Sequence, residues 1–144
     1  MARIKIDLPD AWHFATDITV QIGDINYGNH LSNDAVLRLA HEARLRFLKH
    51  HGYSEMDIEG VGLIMADAAI QFQNQAFYAD ELRIHIAVCD IGRAGFTLIY
   101  LFEHLADGQH IARVKNGMVF YDYQQQSVAN TPNAFQATFA PTER

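Results

Sequence analysis

Residues 33–51 carry the one long run of helical periodicity in this 144-residue chain, and any fold has to be built around it. Val36, Leu39, Ala40, Ala43 and Phe47 recur at steps of three and four, and Leu37 and Leu48 widen the stripe. Ser32 or Asn33 can cap the start, and Asp34 suits the positive end of the helix dipole. Lys49, His50 and His51 followed by Gly52 supply a stop. Leu45 adds an apolar group on the far side, so this helix asks for cover from more than one direction. A sheet wrapped around it, or a second subunit, would provide that cover.

Everything else alternates. Ile18, Val20 and Ile22 predict a short strand before the helix. After it, Ile64 to Phe72, Leu82 to Val88, Phe96 to Phe102 and Val114 to Phe120 predict four more. Turn signals separate the later runs: "YADE" at 78–81, "DIGRAG" at 90–95 and "ADGQ" at 106–109. Strands joined this closely should be antiparallel neighbours. Pro132 opens a tail that can turn helical around Asn133 to Thr138. The expected architecture is α+β: one domain over 1–144, with a long central helix wrapped by an antiparallel sheet of about five strands.

Composition removes several classes of function. A 49% apolar and 19% charged content is that of a folded chain. The net charge of −6, without a strong basic cluster, argues against nucleic acid or an anionic membrane as partner. No apolar stretch approaches the ~18 residues of a membrane span. The opening "MARIKIDLPDAWHF" is too charged for a signal peptide, and Pro9 breaks it, so a cytoplasmic location is expected. The lone Cys89 has no disulfide partner in the chain and reads as a buried, inert thiol. His41, His50 and His51 lack ligand spacing for zinc, and no metal or redox cofactor is expected.

Between the first strand and the helix lies "GDINYGNHLSND", residues 23–34, dense in turn formers and carrying Asp24 and His30. Five segments taken in order resemble the hot-dog fold of acyl-CoA thioesterases, in particular the group related to 4-hydroxybenzoyl-CoA thioesterase. They are "DINYGNHLSN" at 24–33, "HEARLRFLKHHGYS" at 41–54, "FYADEL" at 77–82, "IGRAGFT" at 91–97 and "ARVKNGMVFYD" at 112–122. The resemblance covers nearly the whole chain. It implies a homodimer, in some relatives a tetramer, with paired helices and a pantetheine arm entering between subunits. The substrate would be an acyl-CoA or acyl-carrier-protein thioester, with CoA present only as part of the substrate.

The resemblance also implies a site. The thioester carbonyl would point at the N-terminus of the helix, where unpaired N–H groups and the dipole stabilise a developing oxyanion; the amide near Asn33 is the expected donor. Many relatives read Asp-x-Asp-x-x-Gly-His-Val-Asn-Asn in the loop, and the second aspartate is catalytic in the 4-hydroxybenzoyl-CoA group. Here that position is Asn26, which cannot take a proton but can orient water. Asp24 and His30 are the remaining candidates to deprotonate it. Each has a structural alternative: Asp24 can tie down the loop, and His30 can be an ordinary loop histidine. Arg93 in the "GRAG" turn is a candidate contact for a CoA phosphate, or a solvated turn residue.

Other polar residues read more quietly. Glu42 can pair with Arg38 and Arg46, one turn away on either side. Arg44 points into the apolar arc, where it should snorkel or make a partly buried ion pair. Asp34 reads as a dipole partner, and Asp67, inside a strand run, needs a polar partner if buried. Asn26 leaves two rivals to hydrolysis open: binding of acyl-CoA or acyl carrier protein without cleavage, and hydratase or dehydratase chemistry.

Overall fold

The computed structural model describes residues 1–141. Helix α1 runs Asn33–His50, capped by Ser32, whose Oγ accepts the Ala35 N–H at 3.3 Å. At 18 residues, about 27 Å, it is a short rod rather than the long one expected. His51 leaves helical geometry, and Gly52 at φ +76° ends the helix in the left-handed region that glycine enters freely.

Six strands surround that helix in sequence: β1 Phe14–Thr19, β2 Gly62–Phe72, β3 Glu81–Cys89, β4 Gly95–His104, β5 His110–Asp122 and the two-residue β6 Ser127–Val128. A second helix, α2, spans Asn133–Phe139, where Pro132 opens it as its position in the sequence suggests. All pairings are antiparallel, in the order β1-β3-β4-β5-β2, with β6 against the end of β5. Leu82, Ile84 and Ile86 of β3, Leu98, Tyr100 and Phe102 of β4, and Val114 and Phe120 of β5 form one buried face. Against it lie Ala35, Val36, Leu39, Ala40, Ala43, Phe47 and Leu48 of α1. Leu37 and Leu45, on the other side of the helix, stay 37% and 41% exposed. The sheet therefore covers α1 from one side only. Among the described residues no helix is long and apolar enough to cross a membrane.

Two further sequence expectations are corrected. The first strand begins earlier and stops at Thr19, and Ile22 is 72% exposed. Gln21 and Asp24 bond each other reciprocally and wind Ile22–Asp24 into a single 3-10 turn, which breaks the alternation. In β2 the inward phase changes midway. Leu63 and Met65 stand opposite Phe120 and Met118, but after a bulge it is Ala68, Ile70 and Phe72 that face Asn116, Val114 and Ala112. Ile64 consequently points outward. Asp67 marks the bulge, exposed, with Oδ1 accepting the Gly117 N–H at 2.8 Å.

Arg44 is the one buried charge on α1. Its Nε donates to Glu55 Oε2 at 3.2 Å, and its Nη1 to Tyr100 Oη at 3.0 Å and Asn116 Oδ1 at 3.2 Å. Burial opposes the charge, but Tyr100 and Glu55 outweigh it and raise the guanidinium pKa. Burial in turn pushes the Tyr100 phenol up. Outside the sheet, residues near the N-terminus lie across the opposite face. The Ile6 N–H donates to Gln71 Oε1 at 3.0 Å, and Arg113 Nη1 donates to the Ile6 carbonyl at 2.9 Å.

Candidate active site

The loop before α1 is shaped by its own polar side chains. Asp24 is only 6% exposed. Its Oδ2 accepts the Gln21 N–H at 2.8 Å and its Oδ1 accepts Arg38 Nη1 at 3.3 Å, while its carbonyl accepts the Ser32 N–H at 2.9 Å. Arg38 also donates to the Gly23 carbonyl at 3.4 Å. Both carboxylate oxygens are thus engaged, one within the 3-10 turn and one on the helix.

Asn26 turns the next segment. Its Oδ1 accepts the Gly28 N–H at 2.9 Å, an Asx turn, and its backbone exchanges bonds with His30 and Asn29. Asn29 stands where the resembling motif has glycine and adopts φ +65°, a conformation asparagine tolerates better than most. Leu31 N–H then donates to the Ala76 carbonyl at 2.7 Å, docking the loop beside the segment that follows β2.

His30 Nδ1 lies 3.2 Å from the Leu31 carbonyl oxygen. A carbonyl can only accept, so in the neutral ring Nδ1 carries the proton and the lone pair sits on Nε2. Gly28 keeps that nitrogen and Asn26 close together. A side-chain carbon at Gly28 would approach both Asn26 Oδ1 and His30 Nε2 to 3.2 Å.

The helix tip completes the site. Ser32 satisfies the Ala35 amide, and the Asp34 carboxylate is held below its usual range by the Ser32 hydroxyl first and then by its own N–H. The Asn33 amide, first in the helix, has no intrahelical acceptor. His30 and Asn33 line one cavity of about 200 Å³, together with Leu31 and Val36 from this side and residues 72–75, 111 and 112 from the other. Its far wall is fixed by the Gln73 and Asn74 amides, which share the Ile111 carbonyl at 3.0 and 3.2 Å.

The structure therefore brings His30 and Asn33 to one cavity, with Asn26 behind His30 at Gly28. Asp24 lies outside the lining, and Arg93 sits in the exposed β3–β4 connection, its carbonyl accepting the Thr131 N–H at 2.8 Å. Glu42 pairs with Arg46 at 3.1 Å, whereas Arg38 is taken by Asp24. Burial, then Asp90, raises the pKa of the half-buried Cys89 thiol, consistent with an inert group. Among the described residues no three His, Cys, Asp or Glu side chains gather in a metal-sized cluster. Gln73, Asn74 and Gln75 are lining residues that sequence reasoning passed over. A run of amides after a strand reads as a solvated turn, and only the Leu31–Ala76 bond shows that it faces the helix tip.

The architecture is a helix laid on an antiparallel sheet, with His30 and the N-terminal tip of that helix at one cavity. A family profile described as the thioesterase-like superfamily matches residues 20–139. The chain belongs to the thioesterase-like superfamily. A sequence search of curated proteins finds no match. Among solved structures, it is similar to a 1,4-dihydroxy-2-naphthoyl-CoA thioesterase from Synechocystis, with 20% identity, TM-score 0.79, and coverage of 88% of this chain and 94% of that one. It is also similar to a gentisyl-coenzyme A thioesterase, with 20% identity, TM-score 0.77, and coverage of 88% and 100%. A thioesterase superfamily protein from Jannaschia sp. CCS1 gives 20% identity, TM-score 0.81, and coverage of 91% and 83%. These likenesses establish the hot-dog fold.

Proposed function

We propose that this protein is an acyl-CoA thioesterase, hydrolysing an acyl or aroyl thioester to the free acid and CoA. The observation that carries the reading is the meeting of an uncommitted His30 Nε2 and the unpaired Asn33 amide on one cavity. His30 Nε2 takes a proton from water as the water oxygen bonds to the thioester carbonyl carbon. The carbonyl oxygen becomes an oxyanion held by the Asn33 N–H at the positive end of α1. Collapse breaks the carbon–sulfur bond, and the leaving thiolate recovers the proton from His30. Asn26, with Oδ1 used by Gly28, has its Nδ2 left to orient the water. Asp24 keeps the loop in register, a role its two engaged oxygens favour over proton transfer.

A dimer fits the same reading. Strand β2 lies at the edge of the sheet with Ile64 and Met65 exposed, and Leu37 and Leu45 leave one side of α1 uncovered. A second copy would close the cleft over the pantetheine arm, and Arg93 is its candidate phosphate contact. The test is thiol release from a panel of acyl-CoA and acyl-carrier-protein thioesters. Turnover is expected in wild type, and none above the level of an Asp24→Ala/His30→Ala double variant would end the proposal.

One observation favours a second reading, binding without cleavage. Asn26 replaces the catalytic carboxylate of the resembling group, and no carboxylate lines the cavity among the described residues. Tight binding of a CoA ester in calorimetry, with no thiol released over hours, would select it.

A further inference from the structure

We infer that residues 6–12 form a strap that braces the cleft wall at 72–75 from behind the sheet. Gln71 and Arg113 are its positioning residues, and their effect on substrate rests on the thioesterase reading. Ile6 is buried and its backbone is held twice. Its N–H donates to Gln71 Oε1 at 3.0 Å, and its carbonyl accepts Arg113 Nη1 at 2.9 Å. Gln71 and Arg113 stand directly opposite each other on β2 and β5. Neither side chain makes another hydrogen bond among the described residues, and Arg113 Nε is buried without a partner. Ile6 is therefore what fixes this pair. The same row of the sheet continues through Leu101 of β4 to His85 of β3. Trp12 lies 5.4 Å from His85 between ring centroids, and the His13 N–H donates to the Ile86 carbonyl at 2.9 Å. Three strand spacings measure ~14 Å, which six extended residues can span and six helical ones, at ~9 Å, cannot. Ile99 and Leu101 are buried beneath the strap, on the face turned away from α1.

Successive residues of a strand project to opposite faces, so a grip on Gln71 and Arg113 from outside acts on Phe72 and Ala112 inside. Phe72 and Ala112 line the cleft, and they are the last β2–β5 pair at this end. Past them the wall leaves the ladder. The Gln73 and Asn74 amides share the single carbonyl of Ile111, and residues 72–75 are exposed. Strand β2 is also an edge strand, with no neighbour on its other side within one protomer. The exposed end of an edge strand is where a sheet opens first, and the strap is anchored at that end. Release of Ile6 would loosen the wall without touching His30 or Asn33, which lie across the cleft.

The experiment uses the full chain. Gln71→Leu removes the acceptor of the Ile6 N–H, and Gln71→Glu restores one opposite Arg113. Hydrogen exchange at the Gln73 and Asn74 amides, the urea midpoint and the kinetics of thiol release are read for each. Gln71→Leu should speed exchange at both amides by roughly five- to ten-fold and raise KM by a similar factor. Its kcat should stay within about two-fold of wild type, because the opposite wall is untouched. Gln71→Glu should return both quantities to wild-type values. Arg113→Met should reproduce the Gln71→Leu effects, and the double variant should add little, since both act through Ile6. Unchanged exchange in Gln71→Leu, or a lower urea midpoint with KM unchanged, would overturn the inference. Faster exchange in Gln71→Leu with no thiol release by wild type would sink the thioesterase reading and leave the strap standing. Wild-type turnover that Gln71→Leu leaves unaffected would do the reverse.

Discussion

The two ends of α1 are built from opposite materials. At its start, Asn33 is exposed, its amide makes no hydrogen bond among the described residues, and the approaching chain is turned by Asp24, Asn26 and Ser32. At its end, Phe47 lies 5.5 Å from Phe139 and 5.7 Å from Phe14 between ring centroids, and His51 lies 4.9 Å from Phe139. His51 Nε2 is buried there without a hydrogen-bond partner. One end is packed shut by aromatic rings and the other is held open by short polar bonds. Stability and chemistry should therefore separate along a single helix, and substitutions should sort accordingly.

The largest effect tests the closed end. Phe47→Ala removes a fully buried ring and should cost about 3–5 kcal/mol in urea unfolding, while the surviving folded protein keeps its thiol-release rate per molecule. His30→Ala is the converse. It should lower kcat by roughly 10²- to 10⁴-fold and leave the unfolding midpoint nearly unchanged, because the ring is only partly buried. Equal damage to both quantities by either variant would erase the distinction. Gly28→Ala is subtler: its new methyl must displace Asn26 or His30 by a few tenths of an ångström. A loss of roughly ten-fold in kcat with KM unchanged is expected, since misplacement by a full ångström costs about a hundred-fold.

The gentlest probe is pH. Burial first, then His50 and His13, lowers the His51 pKa below 6.5 in the folded protein. Burial likewise lowers that of His13, whose Nδ1 accepts the Val88 N–H at 3.0 Å. The unfolded chain takes these protons first, so the stability is present above pH ~6.5 and is lost as pH falls through the depressed folded values. Urea midpoints at pH 8 and pH 5 should fall further for wild type than for His51→Phe. An identical drop in both would remove His51 from the account.

Much of this architecture was readable before the fold was known, for physical reasons particular to each element. The α1 stripe repeats five times at helical spacing and has a capping serine and a stopping glycine, so both ends were legible. The bulge in β2 was not, because "LIMADAAI" is apolar in both phases and only pairing with β5 chooses between them. The 3-10 turn at Ile22 was hidden for a similar reason: Ile18, Val20 and Ile22 alternate perfectly, and the side chain that breaks the pattern is Asp24. Arg44 was recognisably headed for an apolar region, but its partners Tyr100 and Asn116 lie 56 and 72 residues away. In the site, His30 and Asn33 could be named because they flank a helix start. The glutamines opposite them could not, because their position depends on where β2 ends against β5.

The most direct test is the Asn33 amide in an ¹⁵N-resolved NMR titration with a thioether analogue of hexanoyl-CoA that retains the acyl carbonyl. The Asn33 proton should move downfield as the carbonyl oxygen accepts its hydrogen bond, while the amides of Phe47 to His51 stay in place. A saturated complex in which the Asn33 amide does not shift would contradict it.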